Sequence, residues 1–309
     1  MEMFWTVAAQ VAIMFLLMGA GFLGYKIRLI SQEGADQLTT VLLTFVTPCV
    51  ILDAYQSEPD ARLLSGLVAA FAVSLGIHFF TILLVTVLIK KEPRGFYKSE
   101  RFGVVFSNCG FMGFPLAEAV MGEKGILYAS AMVAVFNLLQ WTYGRALMEG
   151  KTEMKSFARS FLNPNVLAVA LGLLMLFLKI RLPSVIGAGV TYLGAMNTPL
   201  GMLIIGTFIA RSNFVKSLGQ KRIYLISFLS LAVVPLLCLA VLHFLPVDKE
   251  VVLICLLLAA CPCAANTAIF AHRYTGDGLY ATNLVVVSTL ISAVTIPLFM
   301  LVMALTGIV

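Results

Sequence analysis

Residues 63 to 89 form a run of 27 positions without one Asp, Glu, Lys or Arg, broken only by Ser, Thr, Gly and His78. A stretch of roughly 20 apolar residues is what a helix needs to cross a bilayer, and in lipid only a helix or a closed barrel satisfies its own backbone polar groups. Comparable runs recur along the whole chain, whose residues are 61% hydrophobic and 12% charged, with a mean hydropathy of +1.00. The alternating ten-residue segments of a barrel are absent. The chain therefore reads as an all-α integral membrane protein. Its beginning, Met1-Glu2-Met3-Phe4-Trp5, lacks the basic n-region of a cleaved signal, so the first apolar run is expected to be retained as a span.

Ten spans can be drawn, near 4–25, 38–55, 63–89, 101–121, 126–148, 163–179, 186–210, 222–245, 250–271 and 279–307. Turn chemistry and charge collect between them, as in Ser57-Glu58-Pro59-Asp60, Lys90-Lys91-Glu92-Pro93-Arg94-Gly95, Glu149-Gly150-Lys151 and Asn163-Pro164-Asn165. Of the 21 Lys and Arg, 16 fall in the loops after odd-numbered spans. By the positive-inside rule those loops are cytoplasmic, which gives a multi-pass protein of the cell inner (plasma) membrane with both termini extracytoplasmic. The net charge of +6 thus bears on orientation and lipid headgroups, and no nucleic-acid partner is expected.

The chain also repeats itself. Lys26-Ile27-Arg28-Leu29 returns as Lys179-Ile180-Arg181-Leu182, Thr47-Pro48 as Thr198-Pro199, and Tyr128-Ala129-Ser130 as Tyr280-Ala281-Thr282, at offsets of 151 to 153. Five spans per unit is an odd number, so residues 1–150 and 151–309 are expected to form two inverted five-helix repeats.

Two spans are broken in matching places. Span 4 contains Phe106-Ser107-Asn108-Cys109-Gly110-Phe111-Met112-Gly113-Phe114-Pro115, and span 9 contains Ala259-Ala260-Cys261-Pro262-Cys263-Ala264-Ala265-Asn266-Thr267. Glycine, proline and asparagine at membrane depth are tolerated only where the freed backbone is buried in protein or lines a cavity. Paired interrupted segments in the two halves point to a transporter's binding site, where half-helix ends face an anion. Asn108, Gly110, Gly113, Pro115, Asn266 and Thr267 are the candidate binding residues, and Pro115 suits the first position of a half-helix. Asn137 and Gln140, one turn apart in span 5, are placed to face the first break.

Few other polar groups lie at depth: Gln10, Asp53, His78, Glu118, His243 and Asn283. His78, mid-span, is the candidate for proton or ion coupling, against the alternative of a structural histidine. The six cysteines read as buried hydrophobes. Cys261-x-Cys263 has no histidine or further cysteine at ligand spacing, so neither metal nor cofactor is expected. Phosphate-loop and zinc-pair motifs are missing, which favours moving a solute over converting it.

The stretches Asn108–Leu116, Val135–Gly144, Leu162-Asn163-Pro164 and Pro262–Thr267 through Ser288-Thr289-Leu290 resemble the auxin efflux carriers and their bacterial relatives in the membrane transport protein group, over essentially the whole chain. The resemblance implies broken helices 4 and 9 that cross, with Pro115, Pro262 and Thr267 at the crossing, a scaffold of helices 1, 2, 6 and 7, and a transport unit of helices 3–5 and 8–10. It also implies elevator movement, a homodimer, and a small organic anion as cargo, a carboxylate such as malate or malonate or an auxin-like acid. Plant members carry proline where this chain has Thr267 and an acidic residue in span 3 in the region of His78. The expected activity is secondary transport coupled to H⁺, Na⁺ or neither. A channel-like facilitator and a membrane-embedded ligand sensor are the alternatives, the latter having only short loops for an output surface.

Overall fold

The computed structural model describes residues 2–56, 61–92, 96–150, 162–212 and 219–308. Ser57-Glu58-Pro59-Asp60, residues 93–95 of the basic loop and Lys151 with the rest of 151–161 lie outside that set. Among the described residues the regular structure is helical: α1 (Glu2–Lys26), α2 (Gln32–Ala54), α3 (Ala61–Leu88), α4 (Tyr97–Val105), α5 (109–121), α6 (123–149), α7 (Pro164–Leu178), α8 (Ser184–Arg211), α9 (Lys221–Leu242), α10 (Lys249–Ala259), α11 (Asn266–Tyr274) and α12 (Gly278–Leu305). Seven segments are long and apolar enough to cross a membrane: α1, α2, α3, the joined α5 and α6, α8, α9 and α12. The joined segment Cys109–Glu149 divides at Gly122, whose φ of 60° and ψ of −145° lie where a side chain would strain the backbone.

Proline shapes these helices from inside. Pro48, Pro115 and Pro235 each stand two residues after a π-turn, at Leu42–Val46, Cys109–Gly113 and Leu229–Val233. A proline inside a helix removes one N–H and collides with the preceding turn. Widening that turn by one residue lets the helix continue. A fourth π-turn, Gln140–Gly144, has no such proline. It lies within α6 and opens at Gln140, three residues after Asn137.

Small residues set how closely the helices approach. A Cβ on Gly21 of α1 would lie 2.1 Å from the Leu203 carbonyl oxygen of α8, and one on Gly206 would lie 2.1 Å from that of Met18. The two backbones therefore touch, as small residues permit in helix pairs where lipid gives no hydrophobic drive. Nearby, Thr47 donates from its hydroxyl to Asn197 Oδ1 at 3.2 Å, joining α2 to α8 beside the two repeated Thr-Pro pairs.

Helix beginnings are tied together by charge. The Glu100 side chain of α4 is fully buried and accepts from Arg222 Nε at 2.5 Å, Arg222 Nη2 at 2.8 Å and the Tyr280 hydroxyl at 2.7 Å. Arg222 reaches Glu92 with its remaining nitrogen at 2.7 Å. A second group joins α3, α6 and the start of α10: Arg62 pairs with Asp248 at 3.3 Å, Lys124 pairs with Glu250, and the Lys124 ammonium lies 5.7 Å from the Tyr128 ring centre. Tyr128 and Tyr280 are the two tyrosines matched by the sequence repeat. Each marks a three-helix junction, one buried and one solvated.

Candidate functional site

The two broken stretches meet. Ser107 and Cys263 form an antiparallel bridge in which the Asn108 amide donates to the Pro262 carbonyl at 2.6 Å and the Ala264 amide donates to the Phe106 carbonyl at 2.9 Å. Ser107 Oγ donates to the Leu258 carbonyl at 2.8 Å, and the Cys263 amide donates to Ser288 Oγ at 3.2 Å. Backbone groups released by breaking each helix are thus taken up by the other break and by two serines. This is what a low-dielectric interior requires of non-helical backbone.

Helices restart on the far side of the crossing. α5 begins at Cys109 with Asn108 as its cap residue, and α11 begins at Asn266. The first helical turn of α5 therefore starts six residues ahead of Pro115, whose ring and missing N–H are accommodated by the π-turn before it. First-turn amides have no acceptor within their own helix and carry the positive end of its dipole. Gly110 and Phe111 of α5 and Ala265 and Asn266 at the start of α11 line a common chamber of about 40 Å³.

Asn108, Asn137, Asn165, Thr47 and Phe136 complete much of its wall. Asn266 Nδ2 donates to Gln140 Oε1 at 2.8 Å, so Gln140 holds the Asn266 amide from behind the wall. Asn137 spends one N–H on the Val133 carbonyl at 2.8 Å. Asn108 Nδ2 and Asn165 Oδ1, by contrast, are buried with no hydrogen-bond partner among the described residues. A buried donor without an acceptor costs about 1–3 kcal/mol, so the Asn108 amide is a position where a ligand oxygen restores a lost bond. The chamber accommodates a water molecule or a few, and a carboxylate of three or four carbons requires it to widen.

Of the residues singled out in the sequence, Asn108, Gly110, Asn137 and Asn266 line the chamber and Gln140 supports it. Gly113 faces the other way, against α10, where its Cβ would meet Leu258 Cγ at 2.8 Å. Pro115 is buried without lining the chamber. Thr267 is buried behind the crossing near Gly103, its hydroxyl without a partner among the described residues. Pro262 contributes its carbonyl to the bridge. His78 also lies outside the wall: its Nδ1 donates to the Ser74 carbonyl at 2.8 Å and its ring sits 6.2 Å from that of Phe106. Thr47 and Asn165 were not singled out. Their signal is faint, a Thr-Pro pair that recurs and an Asn-Pro-Asn turn, both of which also serve as ordinary helix punctuation.

A second, larger cavity of about 690 Å³ adjoins this one, with Leu43 lining both. Its wall comes from the last turn of α1 (Tyr25), the start of α2 (Gln32, Asp36), the end of α8 (Arg211), the end of α11 (His272) and the start of α12 (Thr282). All of these lie at the ends of helices bordering the loops after the first, seventh and ninth spans drawn from sequence.

Broken helices packed break to break around a buried polar chamber, inside a bundle too apolar for water, define a multi-pass membrane protein that handles a solute. The family model described as "Membrane transport protein" matches residues 6–300. The chain belongs to this membrane transport protein family, that of the auxin efflux carriers, and is a membrane transporter. No curated protein sequence matches it.

Proposed function

We propose that the chain is a secondary transporter of a small organic anion, bound at the crossing of the two breaks. The observation that carries this reading is the unpartnered Asn108 amide beside two helix N-termini in a chamber without a carboxylate. Amide donors and dipole ends supply a positive field without a fixed charge, which an anion accepts and a cation does not. In this reading Asn108, Gly110 and Asn266 contact the carboxylate, Asn137 and Gln140 set the side chains, and Gly113, Pro115, Pro262 and Thr267 shape the crossing.

The movement we propose is of elevator type. Two inverted five-helix repeats would divide into a scaffold of α1, α2, α7 and α8 and a transport unit of the remaining helices, each three-helix junction stiffening one end of that unit. Intimate glycine contacts between α1 and α8 support a scaffold that stays whole, and the unit would carry the chamber past it. His78, held by a backbone carbonyl and removed from the chamber wall, is a poor candidate for direct contact with cargo.

Counterflow of radiolabelled malonate or malate in proteoliposomes, with and without Na⁺ and at two pH values, tests the reading. Saturable exchange that Asn108→Ala and Asn266→Ala each weaken about tenfold or more, the worth of one charge-assisted bond, is expected. Flux that never saturates would mean a channel-like facilitator. Binding of the acid without exchange would mean a sensor.

A further inference from the structure

The larger cavity holds an unusual cation. Arg211, at the end of α8, stacks over the Phe208 ring at 5.6 Å and has a side chain only 21% exposed. Its Nη1 has no hydrogen-bond partner among the described residues. The nearest carboxylate, Asp36 Oδ1, stands 3.6 Å away, beyond hydrogen-bond reach, on a side chain that is 61% exposed. A pair at that distance with its carboxylate in solvent is worth little and is readily exchanged. A planar guanidinium braced by an aromatic ring is the group best suited to a carboxylate fork. Tyr25, Gln32 and Thr40 add hydroxyl and amide groups on the α1 and α2 side, and His272 and Thr282 face them from α11 and α12. Walls from both proposed units thus surround one cation whose partner is loosely held.

We propose that this vestibule is an entry site for the transported carboxylate, with Arg211 as its charged contact and Asp36 as an internal counter-ion that the arriving anion displaces. The inference rests on the anion reading of the crossing and extends it outward, past Leu43, to the end of the molecule bordered by Tyr25, Asp36 and Arg211. Recruitment there raises the local concentration of cargo before it reaches a chamber that has no fixed charge. Asp36 tunes the site by cancelling the Arg211 field when the vestibule is empty.

The test is initial-rate uptake of radiolabelled malonate by full-length protein in proteoliposomes of known orientation, measured from each side. Arg211→Gln is expected to raise the half-saturating concentration about tenfold from the vestibule side and by under about twofold from the other. Asp36→Asn is expected to lower it on the same side, and that gain to shrink at high salt, since the interaction is partly solvent-screened. Arg211→Lys, which keeps the charge without the fork, falls between and shows that the variants fold. No change with Arg211→Gln, or an equal change from both sides, overturns the proposal. If wild-type protein exchanges no malonate, equilibrium binding to the detergent-solubilised protein decides. Binding that Arg211→Gln weakens and Asn108→Ala does not would uphold the vestibule while overturning transport at the crossing; no binding overturns both.

Discussion

Asn266 Nδ2 and Gln140 Oε1 stand 2.8 Å apart, a side-chain bond between the first turn of α11 and the π-turn within α6. It fixes which way the Asn266 amide presents itself to the chamber. Gln140→Leu removes the acceptor and frees the part-buried Asn266 amide to turn, and is expected to weaken malonate binding several-fold to about tenfold. Gln140→Glu keeps the acceptor but sets a negative charge beside the chamber, so it should bind malonate more weakly still. Titration calorimetry on the purified variants checks this. Malonate binding left unchanged or tightened by the added charge would overturn the placement of the anion in this chamber.

Gly113 is required by space, not by conformation. Its Cβ would meet Leu258 Cγ at 2.8 Å, a branch point that cannot swing aside as a side-chain tip can. Gly113→Ala is expected to destabilise the protein by about 1–3 kcal/mol through overpacking. Leu258→Ala in the same chain should restore part of the loss, because the two residues share one gap. Thermal unfolding of the two single variants and the double variant reads the coupling directly, and additive losses would show that no such contact exists.

Arg222 serves two carboxylates of very different burial. Arg222→Ala strips the fully buried Glu100 of its cation and leaves it with the Tyr280 hydroxyl, so a loss of about 3–5 kcal/mol is expected. Glu92→Ala removes a half-exposed partner and should cost under about 1 kcal/mol. Chemical denaturation in detergent distinguishes the two, and comparable losses would count against Glu100 as the centre of this junction.

Asp277, in the turn before α12, has its carboxyl raised above the ordinary 3.8 chiefly by burial, with the hydroxyl of Ser99 at 2.8 Å working the other way. A raised carboxyl pKa means that the folded protein binds the proton more tightly than the unfolded chain. Its contribution to stability is then full below the unfolded pKa and lost as pH rises through the folded one. Asp277→Asn, which keeps an acceptor for Ser99, should flatten that part of the profile and raise the melting temperature at pH 7 relative to wild type. Melting curves from pH 4 to 8 on both proteins provide the comparison.

Much of the membrane architecture could be read from local chemistry. Apolar runs such as 63–89 dictate helices because lipid offers the backbone no alternative partner, and Pro115 and Pro262 within such runs announce non-helical backbone that protein must cover. Asn108, Gly110 and Asn266 stand out for the same reason. Gly113 and Thr267 carried the same signal yet turn from the chamber, because a residue's side of a broken helix depends on where the helix restarts. That restart is at Cys109 rather than at Pro115, since a π-turn takes up the proline. His78 had the right depth, but its ring is turned to the Ser74 carbonyl of its own helix.

By itself, then, the sequence determined that this is a helical membrane protein with two interrupted segments rich in amide side chains, since burial in lipid forces those consequences on any chain of this composition. Only the tertiary structure decided that the interruptions meet as Ser107 against Cys263, that Gln140 bonds Asn266 while Thr47 and Asn165 join the chamber wall, and that Arg211 and Asp36 line one larger cavity. These relations pair residues 118 to 175 positions apart in the chain. Hydropathy and turn chemistry act over one or two helical turns, so no local rule chooses such partners; close packing of whole helices does.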